Sequence, residues 1–256
     1  MSRSTPTEFL VTLCAALLVA IPVTVLASRP PPALTLPAGA RIGVVNLLDS
    51  EVTHFHTSRQ IENSFLKTYT VSWSVSAMLQ AAVKDRLTQL GFTIVPVAAG
   101  DALRRARESC FLDAALAKGL PKECGPLYAQ LAASSGVSAI IVLGPGRNDS
   151  AHAGGSRHKE LPEYLRGWCF VTGGAEPPAL LNMTELLLVG VSGSKAELFG
   201  RAWGGDGKSW TGYQPPPDLK AFPEQQLNQL QPFYGAMLKQ QADTALAPLA
   251  TATSTA

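Results

Sequence analysis

The sequence predicts an α/β domain, with an α+β arrangement as the alternative. Three continuous apolar runs of strand length, which begin at Arg41, Phe92 and Val137, are typical of buried parallel strands. The segments between them repeat apolar residues every three or four positions, as helices that pack on a sheet do. This order predicts a βαβαβ half with mostly parallel strands, followed by antiparallel strands and C-terminal helices.

The helix that follows Trp73 has the clearest boundaries. Residues 75–90 place apolar side chains on one face, Ser72 or Ser74 can cap the start, and Gly91 suits a left-handed C-terminal cap. Residues 51–67 show no clear periodicity. The other elements predicted for this half are strands at 41–48, 69–72, 92–97 and 137–143 and helices at 101–118 and 126–136.

The second half is patterned as antiparallel strands separated by turn residues. The Gly193-Ser194 pair predicts a tight hairpin, and Pro232 either breaks a C-terminal helix or opens a new one. The predicted strands are 168–172, 179–191 and 197–203, and helical turns follow between 227 and 246.

The N-terminal segment predicts export. A charge-free apolar run from Phe9 to Ala27 follows a short cationic segment at Arg3, and its ending predicts cleavage before Ser28. The run has about 19 residues, which is near the lower limit for crossing a bilayer, so an uncleaved membrane anchor is the alternative. We therefore expect the protein in the periplasm, either free or anchored to the inner membrane.

The domain boundaries follow from composition. Three consecutive prolines stiffen the segment after the leader, and the end of the chain is low in complexity. The prediction is a signal peptide or anchor at 1–27, a Pro-rich spacer at 28–40, a single α/β domain at 41–247 and a disordered tail at 248–256.

Cysteine usage is consistent with an oxidising compartment. Removal of the leader leaves Cys110, Cys124 and Cys169, and helix-ending residues lie between the first two. A disulfide between Cys110 and Cys124 would pin two consecutive helices together. The alternative is that both are small buried apolar side chains.

Charge and motifs exclude several classes of function. The formal net charge is +2 and no run of Lys or Arg is present, so nothing predicts a nucleic-acid partner. Arg107 and its basic neighbours fit a solvated helix face. No Gly-x-Gly-x-x-Gly or Walker motif occurs, so we predict no cofactor, and no residue is assigned a catalytic role.

The histidines are candidate metal ligands. On a strand, His54 and His56 would face the same side and could share a metal ion. Two ligands do not make a site, so His152 or His158 from the loop at 144–166 would have to join them. The alternative is four histidines that bind no metal.

The loop at 144–166 is the predicted binding surface. It follows the third buried strand, and loops longer than about 12–15 residues are usually functional or disordered. Its basic residues outnumber its acidic ones, which favours a mildly anionic partner such as peptidoglycan, lipid headgroups or an acidic protein face. The candidate binding residues are Arg147, Arg157, His158, Lys159 and Arg166.

The order of elements resembles that of known envelope proteins. The leader, the Pro-rich spacer, the strand at 41–46 and the Trp73-Ser74-Val75 start of a helix are similar to the small α/β modules of bacterial envelope proteins. Over about half of the chain they resemble the amino-terminal domain of the Tol translocation protein and the curli-secretion accessory family. The resemblance implies a module of the cell envelope and no particular site residue.

Three functions are compatible with the sequence. We expect a non-catalytic binding or scaffolding protein, with an envelope protein or a cell-wall or membrane component as its partner; an uncleaved leader would add membrane contact. A metal-dependent or hydrolytic envelope enzyme that uses 144–166 with His54 and His56 is one alternative. A periplasmic ligand-binding protein is the other, and it would need a deep pocket at the carboxyl ends of the strands.

Overall fold

Strands come first in the described chain, helices and strands alternate between Val75 and Pro145, and further strands and two helices follow. The computed structural model describes residues 33–112, 119–146, 165–173, 177–204 and 207–252. The strands are β1 (Leu34–Leu36), β2 (Arg41–Asn46), β3 (Glu51–Thr57), β4 (Phe65–Thr70), β5 (Thr93–Pro96), β6 (Ala139–Pro145), β7 (Gly167–Gly173), β8 (Ala179–Ser192), β9 (Lys195–Trp203), β10 (Gly207–Ser209) and β11 (Leu249–Thr251). The helices are α1 (Val75–Gln89), α2 (Asp101–Arg105), α3 (Arg107–Leu112), α4 (Cys124–Ser135), α5 (Glu224–Asn228) and α6 (Gln231–Ala245), with a short 3-10 helix at Ile61–Asn63.

The parallel half of the fold is centred on β2. Strands β5 and β6 lie on either side of β2 and run parallel to it. Side chains of α1 share one apolar core with Ile42 and Ile141, whereas those of α3 and α4 share another with Val45 and Ile140. The helices therefore cover both faces of this sheet, which confirms the predicted βαβαβ order and the α/β class.

Strand β8 joins this half to a second group of strands. Its C-terminal half pairs with β6 and β9, and its N-terminal half pairs with β7 and β10. Beyond β7 the sheet continues to β3, which is parallel to β7, and then to β4, which is antiparallel to β3. Strand β8 is buried from Ala179 to Gly190 because both of its edges are paired and elements pack on its two faces.

The predicted ends of α1 are confirmed. The Ser74 side chain accepts a hydrogen bond from the backbone N–H of Ala77 at 3.2 Å, which satisfies one of the unpaired donors of the first turn. Gly91 follows the helix at φ 73°, a conformation that glycine adopts without steric cost. The hairpin between β8 and β9 is also as predicted, since Ser192 pairs with Lys195 across two turn residues.

One strand was not predicted from the sequence, and one predicted helix was wrong. Residues 51–67 contain β3, whose alternation is hidden because the inward position of His54 reads as polar although the residue is fully buried. The helix predicted at 101–118 is divided, with α2 ending before Ala106 and α3 beginning after it, and residues 113–118 lie outside the described part.

The spacer and tail also need correction where the structure describes them. Strands β1 and β11 pair in parallel, with Leu34 beside Leu249, so ordered structure begins before Arg41 and continues beyond Ala247. Leu34, Leu36 and Leu249 are buried in the core, and this burial stabilises a pair of strands too short to be stable alone.

Helix α6 is fixed to the sheet by a buried polar contact. The side-chain amide of Gln241 donates to the carbonyl oxygens of Ala202 at 2.8 Å and Thr184 at 3.2 Å. Its carbonyl oxygen accepts from Asn182 at 3.2 Å and from the Thr184 hydroxyl at 3.1 Å. Every polar atom of this glutamine is therefore satisfied, which is the condition under which a buried amide is stable.

The predicted disulfide between Cys110 and Cys124 is present, with the Cα atoms 5.7 Å apart. It joins α3 to the start of α4 and is compatible with an extracytoplasmic location. No helix in the described ranges is long and apolar enough to cross a bilayer. The predicted leader at 1–27 lies outside those ranges.

Loss of the disulfide should lower stability. Closing a loop of about 15 residues contributes about 3 kcal/mol in the chain-entropy account, so we expect the Cys110→Ser/Cys124→Ser variant to lose about that much free energy of unfolding. Urea unfolding with and without reductant measures it. Reductant should destabilise the wild type and leave the double variant unchanged; sensitivity of the double variant would contradict the assignment.

Adjacent glutamines on α6 provide a matched pair of variants. Gln241→Ala removes the partners of buried groups on β8 and β9, which should cost about 3 kcal/mol of unfolding free energy. Gln240→Ala changes an exposed neighbour and should cost less than about 0.5 kcal/mol. Thermal or urea unfolding compares the two, and equal losses would show that the polar contact contributes nothing.

Candidate functional site

A cleft of about 280 Å³ lies at the carboxyl ends of β2 and β6. From β2 the chain crosses to β5 on one side and then returns to β6 on the other, with helices on opposite faces. Open α/β sheets bind ligands where two adjacent strands have connections that leave in opposite directions, because a crevice remains between those connections. We call this crevice the strand-end cleft.

The strand-end cleft is built from both groups of strands. The turn after β2, the start of α3 and the end of β6 form one side, and β3, β4 and the start of β7 form the other. The residues that line it are Leu47, Leu48, Asp49, Glu51, Thr53, Leu66, Thr68, Arg107, Glu108, Pro145, Leu165, Arg166, Gly167 and Trp168.

An ion pair fixes one wall of the cleft. Nη1 of Arg107 lies 2.8 Å from Oδ2 of Asp49 and donates at 3.3 Å to the backbone carbonyl of Leu47. Both side chains are partly exposed, so the pair contributes little to stability, but it holds α3 against the turn that ends β2. Arg104 and Arg105 are exposed, as expected for a solvated helix face, whereas Arg107 is half-buried and makes this contact.

Two carboxylates of the cleft have no basic partner among the described residues. Glu51 begins β3, and Glu108 follows Arg107 in α3. Sequence reasoning did not select Asp49, Glu51 or Glu108. The position of Asp49 directly after a buried strand was the one available signal, because the carboxyl ends of parallel strands meet at one edge of a sheet.

One of the predicted binding residues lines the cleft. Arg166 lies at its edge, and Nη1 of Arg166 donates to the backbone carbonyl of Leu165 at 2.8 Å. The other four lie outside the described residues, namely Arg147, Arg157, His158 and Lys159.

The two histidines of β3 converge on a threonine. They face the same side of the strand, as predicted, but Nε2 of His54 lies 2.7 Å and Nδ1 of His56 2.9 Å from the hydroxyl oxygen of Thr172. This hydroxyl occupies the position between the imidazoles that a shared metal ion would need. The described ranges contain no group of three or more metal-binding side chains, and His152 and His158 fall outside those ranges.

Burial lowers the pKa of both imidazoles. The His54 ring is fully buried, stacks on Phe170 at 4.4 Å between ring centres and meets Phe222 edge to face at 4.9 Å. Burial, followed by repulsion from His56, lowers the pKa of His54 to about 3, and burial also lowers the pKa of His56. The Thr172 hydroxyl has one proton, so it donates to one imidazole and accepts from the other, which two neutral rings satisfy.

Stability should decrease in mild acid because of His54. Its folded pKa of about 3 lies below the ordinary value of 6.5, so between these values the unfolded chain binds a proton that the folded chain excludes. We expect this group to cost about 2 kcal/mol of unfolding free energy at pH 5 relative to neutral pH. Urea unfolding at pH 7 and pH 5 measures the loss. His54→Phe should reduce it by about that amount, and an identical loss in the variant would refute the assignment.

Comparison with known proteins adds no function. No protein-family model matches the chain, and no curated protein matches it. Among solved structures the chain is similar to the hypothetical protein CT253 from Chlamydia trachomatis, with a TM-score of 0.40 and 10% identity, over 82% of this chain and 95% of that chain. A likeness at this level supports no argument about function, and it concerns neither the Tol nor the curli family.

Proposed function

We propose that this chain is an extracytoplasmic envelope protein that acts by binding a partner through the strand-end cleft, without a catalytic step of its own. The position of the cleft supports this proposal most strongly. It lies outside the carboxyl ends of β2 and β6, where open α/β sheets hold their ligands.

The size of the cleft is compatible with a macromolecular partner. Pockets that enclose small molecules measure about 300–1,000 Å³, and the strand-end cleft, at about 280 Å³, falls just below that range. A volume of this kind accommodates one or two side chains from a larger surface.

The charges of the cleft favour a protein face over a uniformly charged polymer. Asp49 and Arg107 neutralise each other, and Arg166 lines the same cleft as the carboxylates of Glu51 and Glu108. A partner with charges of both signs complements this arrangement better than lipid headgroups or another anionic surface does. We therefore favour an envelope protein over the peptidoglycan or lipid headgroups that residues 144–166 alone also suggested.

The enzymatic alternative has weaker support. Neither His54 nor His56 lines the strand-end cleft, and Thr172, on which both converge, is only 1% exposed. Burial also raises the pKa of the Cys169 thiol to about 12, so this cysteine is not an activated nucleophile. A substrate in the cleft would reach none of these groups.

Site-specific crosslinking in the native envelope tests the proposal. A photoreactive amino acid placed at Glu51 or Glu108 should form covalent adducts with a partner protein, several-fold more than one placed at Gln240 on α6, which does not line the cleft. Arg107→Glu, which replaces attraction to Asp49 by repulsion, should reduce the adducts. Equal yields at all three positions, or none at Glu51 and Glu108, would overturn the proposal.

A further inference from the structure

One edge of β4 carries unpaired backbone groups. Strand β4 pairs antiparallel with β3 and ends the sheet on that side. The N–H of Val71 donates to the carbonyl of Ser50 at 3.0 Å, and hydrogen-bonded and non-bonded pairs alternate along an antiparallel ladder. Leu66, Thr68 and Thr70 therefore direct their N–H and C=O groups away from β3.

These outward groups have no hydrogen-bond partner in the described part of the chain. A row of unpaired donors and acceptors on an edge strand is a template for another extended segment. Proteins normally protect such an edge with proline, a bulge or an outward charge, and β4 contains neither proline nor bulge. Its lysine, Lys67, turns its amine onto the backbone carbonyl of Lys220.

The outer edge of β5, the last strand of the parallel half, is protected in a way that β4 is not. In β5 the N–H groups of Thr93 and Val97 bond to β2, so the alternate residues Ile94 and Pro96 face outward. Because proline has no N–H, the outer edge of β5 is blocked to strand addition. Proline therefore blocks the outer edge of β5, whereas the outer edge of β4 contains no proline.

The open edge borders the strand-end cleft. Leu66 and Thr68 line the cleft, and Leu66 is a large apolar side chain that is 43% exposed. Glu51 lies directly opposite Thr70 on the same face of the β3–β4 ladder. A strand added to β4 would place one of its side chains beside Leu66 and another beside Thr70. If the side chain beside Thr70 is long and basic, it reaches Glu51.

We propose that an extended peptide segment of the partner adds to β4 as a further strand. An apolar residue of this segment packs against Leu66, and a basic residue opposite Thr70 extends across the small threonine to the carboxylate of Glu51. The inference rests on the proposed function, since it specifies the chemistry that the partner presents to the strand-end cleft.

A second copy of the chain is a poorer occupant. A two-fold antiparallel pair of β4 strands about Thr68 would place Leu66 opposite Thr70 of the other copy, which leaves Leu66 without an apolar partner. A pair about Leu66 would bring this leucine against its counterpart but would place Ser64, which lies before β4, opposite Thr68. Neither arrangement brings a cation to Glu51. A peptide with an apolar residue and a basic residue four positions apart supplies both an apolar partner for Leu66 and a cation for Glu51.

Amide exchange measured by NMR on the full chain tests the proposal. The probes are the capped peptides Thr-Val-Thr-Thr-Thr-Lys-Thr and its reverse order, which together cover both strand directions, and their Lys→Glu counterparts. One lysine peptide should slow exchange at Leu66, Thr68 and Thr70 by at least about tenfold and leave Lys67 and Tyr69 unchanged. The glutamate peptides should bind about tenfold more weakly.

Two substitutions at one position provide the matched control. Thr68→Pro removes an outward N–H where an edge strand tolerates proline, and should weaken peptide binding about tenfold without changing the circular dichroism spectrum or melting temperature. Thr68→Ala keeps the N–H and should therefore bind the peptide about tenfold more tightly than Thr68→Pro does. Glu51→Gln should abolish the preference for lysine over glutamate peptides.

Three outcomes of the amide-exchange experiment would overturn strand addition. The first is that neither lysine peptide binds. The second is that a peptide binds but exchange at the three outward amides does not slow. The third is that exchange at those amides slows with protein concentration in the absence of peptide, which would identify a second copy as the occupant. Crosslinking from Glu108 that persists in Thr68→Pro would refute strand addition while leaving the proposed function intact. Absence of adducts from Glu51 and Glu108 in the protein without the Thr68 substitution would refute the proposed function itself.

Discussion

The backbone of β8 must be hydrogen-bonded on both edges while it is buried over most of its length, and the rest of the fold is arranged around that requirement. A buried N–H or C=O without a partner costs as much as a lost hydrogen bond. Strands β6 and β9 satisfy one half of β8, and β7 and β10 satisfy the other. Helix α6 packs on the same region so closely that a Cβ at Gly200 would overlap the carbonyl of Ala245.

The strand-end cleft is a consequence of this shared strand. Because β8 belongs to two groups of strands, the ends of the parallel strands face the β3–β4 hairpin rather than solvent alone. Each group supplies a different property. The parallel strands bring in the turn that Arg107 holds in place, and the hairpin supplies Leu66, Glu51 and an unpaired backbone edge. Recognition of side chains and of backbone can therefore take place side by side.

The sequence predicted those features of the fold that depend on local patterns in the chain. The βαβαβ order, the caps of α1 and the Cys110–Cys124 bridge all follow from periodicity or from residues close together in the chain. Strand β3 was missed because His54 is stabilised inside the core by Thr172, 118 positions away. The wall of the cleft was missed for the same reason, since Asp49 and Arg107 are 58 positions apart and no periodicity connects them. Polar side chains reveal their role only when the partner is known.

The pairing of β1 with β11 has a consequence for biogenesis. Leu34 lies beside Leu249, so the first strand must wait until almost the whole chain has been synthesised before it finds its partner. The intervening elements pair mainly with neighbours nearer in sequence and can assemble during that delay. We therefore expect the pairing of β1 with β11 to form late in folding. A chain that ends before Leu249 lacks the strand that pairs with Leu34 and Leu36, and we expect it to be less stable and more open to proteolysis.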